Sequence, residues 1–127
     1  PEVVDVLAKG LEDSSEDVRM TALDIASEQA DDIKYDFYRQ GMNSSYQDVR
    51  LEVVNSLEMA QNHQAMEVLL EGLKDKDAEV REATKDAVTF LVDQEFNDYE
   101  SARKWWEKNK NKLDEDLFEI EPEDAPK

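Results

Sequence analysis

A chain of 127 residues without cysteine is long enough for one domain, and it excludes disulfides, thiolate nucleophiles and cysteine-based zinc sites. Its formal net charge of −18, from 33 acids against 15 bases, repels nucleic acid unless a local basic patch overrides the field. No apolar run approaches the ~20 residues of a membrane span, and "PEVVDVLAKG" lacks a signal peptide's basic start and apolar stretch.

The first segment, "EVVDVLAKGL", places Val3, Leu7 and Leu11 at i, i+4 and i+8, which predicts a short helix. "EDSSED" reads as a turn, with Ser15 placed to cap a second helix and Asp17 in its first turn. Val18, Ala22, Ile25 and Gln29 give that second helix one apolar-leaning stripe. The pattern then recurs. "IKYDFYRQGM" predicts another short helix, followed by "NSSYQD", where Ser44 and Gln47 offer a capping box one turn ahead of Tyr46. Val49, Val53, Ser56, Leu57 and Ala60 form the next stripe, and "QNHQ", with the single histidine His63, reads as an exposed loop. "AMEVLLEGLK" carries Met66, Leu69, Leu70 and Leu73 at helical spacing. After "DKDAE", with Asp77 as cap, come Val80, Thr84, Ala87, Val88 and Leu91.

Sliding the sequence by 31 residues superposes these segments. Val18-Arg19, Val49-Arg50 and Val80-Arg81 coincide, as do Gly10-Leu11, Gly41-Met42 and Gly72-Leu73. Asp13, Ser44 and Asp75 share a column, and so do Leu7, Tyr38 and Leu69. A helix pair of this length cannot bury its apolar face alone, so stacked copies are expected to bury it between them. The reading is all-α: a right-handed α-solenoid of antiparallel helix pairs, with three repeats at about 1–32, 33–64 and 65–96. A capping helix over about 97–120 closes it, with Asn97 and Glu100 as capping box, and Leu113–Ile120 adds a last helical turn. An acidic tail follows at 121–127, and the opening on Pro1 reads as a piece excised from a larger array.

"LEDSSEDVRMTALDIA", "MNSSYQDVRLEVVNSL" and "LKDKDAEVREATKDAV" resemble HEAT repeats, nearest to the short bacterial and phycobilisome-lyase-like type. The likeness covers residues 1–96, and "FNDYESARKWWEKNK" is similar to the closing stretch of many bacterial chains of this kind. The resemblance implies that Arg19, Arg50 and Arg81 form a ladder with the turn aspartates Asp13 and Asp75, while Ser44 breaks the pattern in copy two. It also implies that the second helices line a concave surface. It names a subunit or relative of a bilin-attaching lyase as an alternative function, beside a purely structural repeat segment of a larger protein.

The residues themselves favour a non-catalytic binding protein. One loop histidine supports neither a metal site nor a triad. "RKWWEKNKNK" could stack and pair with nucleic acid, but the acidic field around it favours a capping helix with a packed tryptophan. The second helices carry Asp17, Asp24 and Glu28, then Asp48, Glu52, Asn55 and Met59, then Glu79, Asp86 and Phe90, all off the expected core stripe. This row is read as the binding face for a basic protein partner, with no cofactor, no nucleic acid, no membrane and a cytoplasmic setting. Exposure of Met59 and Phe90 would favour binding over a merely solvated face.

Overall fold

The computed structural model describes residues 2–120; the expected acidic tail lies outside the described residues. Among the described residues seven α-helices follow one another: α1 (Glu2–Leu11), α2 (Glu16–Ser27), α3 (Asp31–Gly41), α4 (Gln47–Ala60), α5 (His63–Leu69), α6 (Ala78–Val92) and α7 (Tyr99–Asn109). Short 3-10 turns, Leu70–Lys74 and Lys110–Lys112, extend α5 and α7. No strand forms among these residues, and none of their helices is long and apolar enough to cross a membrane.

Side chains set most of the helix starts. Ser15 accepts from the Val18 N–H at 3.4 Å, Asn62 from Ala65 at 2.8 Å, and Asp77 from Glu79 and Val80 at 2.8 and 3.2 Å. Two expected capping boxes are displaced. The Tyr46 carbonyl accepts from the Arg50 N–H at 3.3 Å, so α4 is entered at Tyr46 and not one turn earlier. Ser44 is engaged in the turn itself, its hydroxyl accepting from the Tyr46 N–H at 3.1 Å. At α7 the cap is Asp98, accepting from Ser101 at 2.8 Å, one residue beyond Asn97. A carboxylate at the positive end of the helix dipole is the stronger cap of the two neighbours.

The described residues form two compact units, divided between Ser56 and Leu57 inside α4. In the first, α1 packs on α2 and α3, and α2 also meets α3. Leu7, Leu11, Leu23, Tyr35, Phe37 and Tyr38 are buried there. Two glycines permit close approach of helices: a Cβ at Gly10 would stand 2.9 Å from Ala22 Cβ, and one at Gly41 only 2.6 Å from Val53 Cγ2. The stripe expected on α2 is rotated. Val18 and Ile25 are 43% and 45% exposed, whereas Arg19, Ala22, Leu23 and Ala26 are buried. Meeting both α1 and α3, α2 turns inward the side that carries its leucine.

In the second unit α5 and its 3-10 extension pack on α6, and the extension also meets α7. Met66, Leu69, Leu70, Val80, Val88 and Trp106 are buried, and Thr84 satisfies its hydroxyl on the Val80 carbonyl at 2.8 Å. Leu113–Ile120 is not helical. It folds back on itself through an antiparallel bridge between Leu113 and Glu119. Asp114 Oδ1 accepts from the N–H groups of Asp116 and Phe118, and Leu117 turns the chain at φ 71°. That carboxylate offers the backbone a local alternative to a helix.

Candidate interaction surface

The arginine column is structural. Arg19, Arg50 and Arg81 each donate through Nη1 to the carbonyl six residues back, at Asp13 (2.9 Å), Ser44 (2.7 Å) and Asp75 (2.7 Å). The side chains at those three turn positions accept from the N–H two residues on, at Ser15, Tyr46 and Asp77 (2.8, 3.1 and 2.9 Å). A serine hydroxyl can make that bond as an aspartate does, and the carbonyl is indifferent to the side chain. Ser44 therefore does not break the column. The resemblance expected the link through the aspartate side chain; the structure makes it through the backbone.

Arg19 makes further contacts within the first unit. Its Nε and Nη2 grip Asp48 Oδ1 and Oδ2 at 3.2 and 2.6 Å, and its guanidinium lies 4.0 Å from the Tyr46 ring centroid. The hydrogen bond from Arg19 holds the Asp48 carboxyl below its usual range. Asp48 was expected on the free binding face; it is instead half-buried and occupied. Beside it Glu12 accepts from the Ser45 N–H at 2.9 Å, a second tie between the two turns.

The remaining candidates are distributed over both units. In the first, Asp17 and Asp24 are exposed on α2 and Glu28 at its C-cap, and Glu52 and Asn55 are exposed on α4. In the second, Met59 at the end of α4 is 84% exposed and Phe90 on α6 is 71% exposed, with Glu79 and Asp86 also exposed on α6. Met59 and Phe90 occupy the same position in successive copies.

The basic stretch is built into its own unit. Trp106 is buried and donates from Nε1 to Glu67 Oε1 at 2.7 Å; Arg103 donates to Glu67 Oε2 at 2.7 Å and to the Tyr99 hydroxyl at 2.9 Å. Burial pushes the Glu67 carboxyl up, but these hydrogen bonds overcome it and leave the group below its usual range. Lys110 pairs with Glu107 at 2.7 Å, and Trp105 lies against Phe96. His63 corrects another expectation. It is half-buried at the start of α5, its ring edge-on to Trp106, with Nε2 3.2 and 3.0 Å from the carbonyls of Leu113 and Asp114. Two carbonyl acceptors require the proton on Nε2.

Two features had no counterpart in the sequence reading. Glu67 lies in a helix that reads only as amphipathic, and its partners are 36 and 39 residues away. An apolar groove between α1 and α2, with Val6, Val18 and Ile25 in its walls, was hidden by the assignment of Val18 and Ile25 to the core. Among the described residues no group of three or more histidine, aspartate or glutamate side chains is arranged to hold a metal ion. No protein-family model matches the chain, and no curated protein matches it either.

Proposed function

We propose that the protein is a non-catalytic interaction scaffold, an α-solenoid of HEAT-like repeats that binds a basic protein partner through its acidic second-helix positions. The observation that carries this reading is the exposure of Met59 and Phe90, 84% and 71%, at one repeat position on a row that is mostly acidic. Large apolar side chains held in solvent at equivalent positions, among carboxylates, suit an apolar anchor inside an electrostatic rim. The net charge of −18 supplies long-range attraction for a cationic partner.

The test is capture of partners at about 0.01 M and about 1 M salt, where screening lengths differ by roughly tenfold. A protein of high isoelectric point should be retained at low salt and released at high salt. Reversing Asp24 and Asp86 to lysine should weaken its capture while circular dichroism stays unchanged. Replacing Met59 and Phe90 by alanine should cost about tenfold in affinity or more. A neutral partner, or one indifferent to both salt and these substitutions, would overturn the proposal.

A further inference from the structure

We propose that the groove between α1 and α2 is a docking site for an amphipathic helix whose aliphatic stripe is flanked by lysine or arginine. Its walls include Val6, Leu7, Val18 and Ile25, with Thr21 and Asp17 along one side. Val6 is 68% exposed. An aliphatic strip this open on an otherwise charged chain is the kind of surface that marks an interaction site.

The register of the copies indicates what such a position receives. Phe37 and Val68 stand where Val6 does in the later copies, Val49 and Val80 where Val18 does, and Ala87 where Ile25 does; all five are buried. Ser56, the remaining equivalent of Ile25, is half-buried. Within the first unit α1 and α2 both pack on α3, the helix that carries Phe37. Leu11 lies 3.7 Å from where a Cβ on Gly41 would stand. A helix that packs on α3 thus presents aliphatic side chains at the i, i+4 spacing of Leu7 and Leu11.

Charge selects among helices. The charged residue in the walls is Asp17, and Asp5 and Asp24, each next in sequence to a wall residue, are exposed. A second copy of this chain would bring the same acids and a further −18 of charge to the contact. A helix with basic flanks brings the opposite sign to every one of them. The inference uses neither Met59 nor Phe90, so it stands apart from the anchor proposed above.

The experiment is fluorescence anisotropy of the full chain with a labelled, roughly 18-residue peptide, about five helical turns, carrying leucine at i, i+3, i+4 and i+7 and lysine on both flanks. A scrambled peptide of identical composition controls for bulk charge. The stripe peptide should bind and the scrambled one should bind at least tenfold more weakly. Val6→Gln with Ile25→Gln, which leaves the net charge unchanged on two exposed positions, should weaken binding by about tenfold or more. Asp17→Asn should reduce its salt dependence. Met59→Ala with Phe90→Ala should leave the peptide affinity unaltered, so failure at the groove and failure of the scaffold anchor give different patterns. No binding, equal binding of the scrambled peptide, or indifference to the glutamine pair would overturn the inference. So would sedimentation of the free protein as a dimer that the glutamine pair dissociates, because the occupant would then be a second copy.

Discussion

Arg19 serves three partners at once. It closes its own turn on the Asp13 carbonyl, grips Asp48 of the next copy with the Nε–Nη2 edge of the guanidinium, and lies over Tyr46. Only a planar fork can do this, so lysine in its place keeps the charge and loses the geometry. Glu67 plays the corresponding part in the second unit, where one carboxylate serves a tryptophan indole and an arginine. Its removal is the more informative substitution because Trp106 is fully buried. Glu67→Ala leaves that N–H without its acceptor, which should cost about 1–3 kcal/mol. Urea denaturation followed by tryptophan fluorescence measures it directly. Glu67→Gln, which retains an acceptor, should recover a large part of the loss; equal losses for both variants would mean that Trp106 does not depend on this bond.

At the scale of the elements, Gly10 and Gly41 set how closely their helices approach a neighbour. Helix propensity alone favours Gly41→Ala by no more than about 1 kcal/mol, because Gly41 is the last residue of α3. The contact argues the other way, since a Cβ at Gly41 would meet Val53 Cγ2 at 2.6 Å in a buried site. Overpacking of that kind costs about 1–3 kcal/mol and should win. Gly41→Ala is therefore expected to destabilise, and Val53→Ala, harmful alone because it opens a cavity, should be less harmful in its presence. A double-mutant cycle read by chemical denaturation should give a favourable coupling, and strictly additive losses would refute the close-contact explanation. The helices themselves were legible in the sequence, because the apolar spacing and the 31-residue step recur in every copy. The phase of α2 was not. Ala22 belongs to both candidate stripes, and only the packing on α1 and α3 decides between Val18 with Ile25 and Leu23 with Ala26. The exposed acids and Met59 and Phe90 were found from their positions off the stripe, whereas Asp48 was misjudged because its partner, Arg19, lies 29 residues earlier in the chain. Leu113–Ile120 failed for a local reason: Leu113 and Leu117 have helical spacing, but the Asp114 carboxylate binds the backbone N–H groups in a turn.

For the whole molecule, two electrostatic effects oppose one another as pH changes. The charge of −18 repels itself in the compact state, so acidification from neutrality first relieves a destabilising field. Asp48 and Glu67 act in the other direction, since their folded carboxyls lie below the usual range. A lowered folded value means that the unfolded chain binds protons more readily. The stabilisation from these two groups is therefore complete above the unfolded carboxylate value of about 4 and is lost as pH falls through the lower folded values. The expected profile of the urea midpoint rises from pH 7 to about pH 5 and falls below about pH 4. Added salt at pH 7 should reproduce the rise by screening. Asp48→Asn should lower stability at pH 7 and flatten the acid limb, because the variant has no carboxyl there to protonate, while leaving the response to salt near neutrality in place. A midpoint that declines steadily from pH 7 downward would show that paired carboxylates outweigh the global field throughout, and that the acidity of this chain costs its fold little.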